Sequence, residues 1–260
     1  MPLVCSGRYA VESIRSLGAI GNLEALDLLL LKLNENPEEP LKIEIIRALG
    51  SMGSKESLEP FFKILKEENI SPALLKSVLE ALGKIAARGT ADRRIANTLT
   101  EYLDSPDPSL RITAINGLSS FNDQNTVASL VGLLKQERSE NVLLTLVEKA
   151  RYINNPSIIP SITGLLQSPQ TSIELQISCL STIGKHAEGV KGITGVLNAL
   201  SSDNREIQEA AYLAAKDLYY TDKTALIGNL ARFALTNKDI PFQRQAAKLF
   251  ADLPDEGSLA

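Results

Sequence analysis

Apolar residues return along this chain with two superposed periods. Within short stretches they recur at three and four residues, the spacing that lines one face of an α-helix. Over longer stretches the same pattern comes back about every 33 residues. Aligning Ile20, Met52, Ile85, Phe121, Ile153, His186 and Leu218 in one column gives steps of 32, 33, 36, 32, 33 and 32. Three residues earlier stand Leu17, Leu49, Leu82, Leu118, Ala150, Ile183 and Ala215. Six residues earlier stand Ile14, Ile46, Leu79, Ile115, Val147, Leu180 and Tyr212. Both earlier columns are apolar throughout, so each unit opens with a helix whose one face is buried. The chain is a repeat array.

Each unit continues with a second helical pattern, such as Leu26, Leu29, Leu30 and Leu33, or Val127, Leu130, Val131 and Leu134. Asn22, Ser54 and Thr221 are expected N-caps, and Asn155 precedes Pro156, a favoured first helical residue. "NENPEEP", "NISP", "SPDP", "SPQ" and "SSDN" then separate one unit from the next. A lone helical hairpin cannot bury both its faces, and stacking neighbours supplies a continuous core. The predicted fold is all-α, a right-handed α-solenoid of about seven helical hairpins. The expected layout is one domain over 1–260, with a lead-in at 1–9 and seven repeats over 10–242. A capping helix at 243–253 and a flexible tail at 254–260 complete it.

The glycines of "LGAIGN", Leu17 to Asn22, and of "LGSMGS", Leu49 to Ser54, invite comparison with a phosphate-binding loop. The repeat assigns them otherwise. The column of Gly18 continues as Gly50, Gly83 and Gly184, but holds Ser119, Arg151 and Lys216 in other units. Gly18 is read as a small residue where helices approach closely, and Gly21 as a left-handed helix end. The step of 36 residues holds "AARGTADRR", whose extra residues are expected to lengthen the hairpin turn around Gly89.

Composition agrees with helix-on-helix packing: 44% of residues are apolar, only 5% are aromatic, and Trp is absent. The net charge of −4 comes without a basic tail or stripe, which argues against nucleic acid or anionic membrane as partner. No apolar run is long enough to span a bilayer, and the start lacks the layout of a secretory signal. Cys5 and Cys179 lie far apart, which reads as two reduced thiols in a cytoplasmic protein. The single histidine, His186, rules out His-pair metal sites within one chain, and its column predicts a partly buried residue with one hydrogen bond. Cys179 is expected in the core, and Arg88, Arg93 and Arg94 form the one tight basic cluster, at an exposed helix start. No catalytic, cofactor or metal site is expected, and the chain reads as non-enzymatic.

The fragments "LGAIG", "LGSMG", "LGKIA" and "IGKHA", each followed by an apolar second helix, resemble the HEAT family. They are most similar to the short HEAT-like repeats of phycobilisome lyases. "SPDPSLRITAINGL" matches the family's Asp-x-x-x-Arg start of a first helix through Asp107 and Arg111. Equivalent positions hold Lys42, Leu75, Leu143, Gln176 and Gln208. The resemblance implies an armadillo-like superhelix and leaves function open, since such arrays host unrelated tasks. It implies as an enzyme-class alternative a phycobilin lyase or isomerase-type subunit acting on a bilin and a phycobiliprotein. A third alternative is a nucleic-acid-binding HEAT-like module, against which the acidic balance argues.

Two surfaces stand out. The second helix of the first unit, "LEALDLLLLKL", is apolar on more than one face, and Leu28 and Leu31 are candidates for self-association. The second helices of units four to six carry small polar residues opposite their apolar stripes. These are Asn125, Ser129, Gly132 and Gln136, then Ser157, Ser161, Gly164 and Ser168, then Lys191, Thr194 and Asn198. Units one and two show Glu24, Asp27, Glu56, Glu59 and Lys63 instead. From Ile153 to Ser202 only Glu174, Lys185, Glu188 and Lys191 are charged, against 22% for the whole chain. A neutral, small-polar face is less costly to desolvate, so the expected function is a scaffold or adaptor binding a protein or peptide on its concave side. The residues assigned to that contact are Asn125, Ser129, Gln136, Ser157, Ser161, Ser168, Lys191, Thr194 and Asn198.

Overall fold

The computed structural model describes residues 7–253 except 91, 154, 156, 187 and 188, and the side chains of 7–9 are not described. Cys5, Pro156, the first part of the lead-in and the 254–260 tail therefore lie outside the described residues. The chain divides into two units, Met1–Phe121 and Asn122–Ala260. Every element in both is helical among the described residues.

The first unit holds α1 (Gly7–Ile20), α2 (Leu23–Asn34), α3 (Glu39–Met52), α4 (Leu58–Ile64), α5 (Pro72–Ala87), α6 (Arg93–Glu101) and α7 (Pro108–Leu118). Here α1 packs on α3, α3 on α5 and α5 on α7, while α2 packs against both α1 and α3. The apolar columns form the core: Ile46, Leu49, Leu79, Leu82, Ile115 and Leu118 are fully buried. The second unit holds α8 (Gln124–Gln136), α9 (Glu140–Ala150), α10 (Ile158–Leu166), α11 (Ile173–Lys185), α12 (Ile193–Ala199), α13 (Arg205–Thr221), α14 (Lys223–Thr236) and α15 (Ile240–Asp252). Here α9, α11, α13 and α15 pack in sequence, and α8 packs on α10. Both units are built as α-solenoid stacks of hairpins.

The glycine column sets how closely first helices meet. A Cβ added at Gly18 would lie 2.8 Å from that of Ala48, and one at Gly50 only 2.6 Å from that of Ala81. Gly184 stands equally close to Ala214. Where the column holds Arg151, polar contacts join the helices: Arg151 donates to Ser181 Oγ at 3.0 Å, and Thr182 Oγ1 to the Val147 carbonyl at 3.0 Å. Gly21 has φ +65° and Gly89 φ +95°, as their turns require.

A second column ties five of the first helices to the chain before them, while Leu75 and Leu143 leave two without such a bond. Lys42 Nζ donates to Asn36 Oδ1 and Arg111 Nη1 to the carbonyl of Ser105. Gln176, Gln208 and Gln243 donate to the carbonyls of Thr171, Leu200 and Ala234. Lysine and glutamine thus fill the place of Arg111, because any long side chain with an N–H can reach those carbonyls. Buried His186 puts Nε2 2.7 Å from the carbonyl of Ile153, its predecessor in the repeat column. Cys179 is buried, and burial pushes its thiol up to about 12.

Three local expectations need correction. Thr221 is the last residue of α13, and Asp222 caps α14 by accepting from Ala225 N. Ser54 starts a 3-10 turn, Lys55–Ser57, without a side-chain cap bond. In α13 the buried register moves by one residue: Ala211 is buried and Tyr212 half-exposed, its hydroxyl bonded to Asp252.

Candidate functional site

The second helices of the Asn122–Ala260 unit position the candidate residues. Asp123 starts α8 by accepting from Asn125 N and Thr126 N, and its Oδ2 takes the Thr126 hydroxyl at 2.7 Å. That hydroxyl, outweighing partial burial, holds the Asp123 carboxyl below its ordinary range. Val127, Leu130, Leu133 and Leu134 face inward. Asn125, Gly132 and Gln136 stand exposed on the other side, and half-buried Ser129 donates to the Asn125 carbonyl.

Asn155 Oδ1 accepts from both Ser157 N at 3.0 Å and Ser157 Oγ at 2.8 Å, ordering the chain into α10. Ile158, Ile159, Ile162 and Leu166 are its buried stripe. Ser157 and Gly164 are exposed and Ser161 half-buried. Half-buried Ser168 lies just past the end of α10. Lys191 sits on a 3-10 turn, Gly189–Gly192, rather than on a second helix. Thr194 and Asn198 are exposed on α12. All nine residues thus fall on neighbouring elements of one unit, none of them buried: α8 packs on α10, and α10 on the 3-10 turn that leads into α12.

Glycine brings α12 close to α10. A Cβ at Gly195 would stand 2.9 Å from Thr163 Cγ2, and one at Gly192 2.9 Å from Thr163 Oγ1. Gly195 belongs to a further column, Gly132, Gly164, Gly195 and Gly228, with steps of 32, 31 and 33 along α8, α10, α12 and α14. At Gly132, Gly164 and Gly228 an added Cβ meets nothing within 4 Å. A glycine inside a helix costs roughly 1 kcal/mol relative to alanine. Close packing explains Gly195, and nothing among the described residues explains the other three. Gly195 and Gly228 were not among the sequence-derived positions, although the constant spacing was there to find them.

Charge is scarce on this side. Neither α10 nor α12 contains a charged residue, and α8 has only Lys135. The Met1–Phe121 unit differs: there Arg94 bonds Glu59 at 2.6 Å, chelates Asp92 and stacks 4.7 Å above the Phe62 ring. That arginine is a clamp between α4 and α6, its donors already engaged. Among the described residues, no three His, Cys, Asp or Glu side chains are placed to hold a metal ion. No described helix is long and apolar enough to cross a membrane.

Comparison with known families finds HEAT repeats at residues 26–95 and 71–147. A search of curated proteins found no match. Among solved structures the chain is similar to human deoxyhypusine hydroxylase in complex with glycerol, at 16% identity and TM-score 0.44, covering 84% of this chain and 82% of that one. It is similar to the complex of CpcE and CpcF of phycocyanin lyase from Nostoc sp. PCC7120, at 17% identity and TM-score 0.47, covering 85% and 86%. An engineered protein matches at 18% identity and TM-score 0.48, covering 92% and 73%.

Proposed function

We propose that this chain, whose residues 26–147 are HEAT repeats, is a non-enzymatic scaffold holding a protein or peptide on the exposed side of α8, α10 and α12. The observation that carries this reading is the glycine column. Gly132 and Gly164 are exposed, lie inside helices and meet nothing, so each lowers stability without improving packing. A partner backbone lying against the helices would give them a purpose, since glycine permits close approach. The surrounding Asn125, Ser157, Ser161, Thr194 and Asn198 are short and uncharged, and a partner desolvates such groups at less cost than ions. In this proposal residues 10–242 form one repeat array closed by α15, working in the reducing cytoplasm, where the sealed Cys179 thiol is at home.

Site-specific photo-crosslinking tests the proposal. A photoreactive residue at Asn198 is expected to capture a discrete protein from source-cell extract, and one at Lys84, exposed on α5, to capture none. Ser161→Asp, with helicity unchanged, is expected to abolish the Asn198 product. Equal capture from both positions, or capture that survives Ser161→Asp, contradicts the assigned face.

A further inference from the structure

Helices α1, α2 and α15 each present exposed apolar side chains. Ile20 is 63% exposed, Leu23 78% and Leu31 60%. Yet Ile85 and Ile153, which share the column of Ile20, are fully buried. Leu23, Asp27 and Leu31 follow at i, i+4 and i+8 and share one side of α2, facing away from buried Leu26, Leu29 and Leu33. At the other end, Ile240 is 64% and Phe250 43% exposed. Ile240, Arg244 and Ala247 share one side of α15 at i, i+4 and i+7, with Phe250 one turn further on. The other sides of α15 are used: Gln245 bonds Gln208 on α13, Asp252 bonds Tyr212, and Phe242 packs on Phe233 of α14.

The two faces have the same layout with opposite charge. Asp27 sits between Leu23 and Leu31, and Arg244 between Ile240 and Ala247. Neither Asp27 nor Arg244 forms an ion pair among the described residues. The shapes differ in a complementary sense as well. Leu23 borders an open cleft of about 600 Å³ lined by Gly21, Asn22, Leu26 and Met52, whereas Phe250 projects.

We propose that a second copy of this chain covers these faces, the α15 face of one copy docking on the α1–α2 face of the next. Leucine and isoleucine bury against each other, Phe250 enters the cleft beside Leu23, and Arg244 meets Asp27. A symmetric contact is disfavoured on either face, because it would bring Asp27 to Asp27 with Glu24 nearby, or Arg244 to Arg244. The contact therefore joins unlike faces, and a single such contact leaves one α1–α2 face and one α15 face for further copies.

Sedimentation velocity on the full chain over a concentration series tests this. Wild type is expected to form species larger than a monomer that grow with concentration. Leu23→Glu blocks one face and Phe250→Glu the other; both sites are exposed, so circular dichroism should match wild type. Each variant alone is expected to be monomeric, and their equimolar mixture to give a dimer that grows no further. Asp27→Arg should weaken association on the order of tenfold, and mixing it with Arg244→Asp should recover it. Three results would overturn the proposal: a monomeric wild type throughout, a mixture that stays monomeric, or a singly blocked variant that still dimerises.

Discussion

Gly50 and Gly132 show how one residue type serves two ends in one array. Both are helical, so on intrinsic propensity alone either would gain stability from a Cβ. At Gly50 that Cβ would stand 2.6 Å from the Ala81 Cβ and 2.7 Å from its Cα, and backbone cannot yield as a side-chain tip can. Gly50→Ala is expected to force α3 from α5 and destabilise by about 1–3 kcal/mol. At Gly132 the space is empty. Gly132→Ala is expected to stabilise by roughly 0.5–1 kcal/mol. Urea midpoints of the two variants check both signs, and a shift in the same direction for both would sink the distinction. From the sequence, both glycines fall at regular repeat positions, but only the Gly18–Gly50–Gly83 column was readable as a helix contact. The Gly132 column is just as regular, but its open surroundings needed the structure, because sequence spacing does not reveal whether a neighbouring helix stands opposite.

Among elements, α8 illustrates how the helices are started. Asp123 accepts two backbone amides and the Thr126 hydroxyl, replacing partners that the first turn lacks. Asp123→Ala is expected to cost about 1 kcal/mol, read from denaturant unfolding at neutral pH. Because the folded carboxyl is held below its unfolded value, its contribution is complete above the unfolded value and fades as pH falls through the folded one. The wild-type advantage over Asp123→Ala should therefore shrink on acidification; a difference constant from neutral to acid pH would contradict the cap. Element order was legible because two apolar columns recur with helical spacing through seven units, and Ile46, Leu79 and Ile115 are buried as that spacing requires. Element ends were less so. Thr221 and Asp222 are adjacent and both able to cap, and the choice follows from α13 running to Thr221 before the chain turns at Asp222. Lys191 is grouped by the sequence with Thr194 and Asn198 on a second helix, but Gly189 and Gly192 bracket it in a 3-10 turn.

For the whole molecule, the proposals assign separate tasks to separate surfaces: partner binding to the α8–α10–α12 side, and self-association to the α1–α2 and α15 faces. Leu28 and Leu31 were already legible as excess leucines on α2, and both are exposed. The complementary face on α15 was not, because Ile240, Arg244 and Phe250 are recognisable as one surface only once Gln245, Lys248 and Asp252 are seen turned towards α13. The small polar character of the candidate binding side was visible in the chain from the lack of charge between Ile153 and Ser202. On that side, Gly132 and Gly164 are proposed to be kept for a partner rather than for folding. The most direct measurement is the yield of the Asn198 photo-crosslink in the double variant Gly132→Ala/Gly164→Ala, with the urea midpoint read on the same sample. The variant is expected to be more stable and its crosslink to fall at least about tenfold, as two added methyl groups block close approach. An undiminished crosslink in a stabilised variant would contradict it.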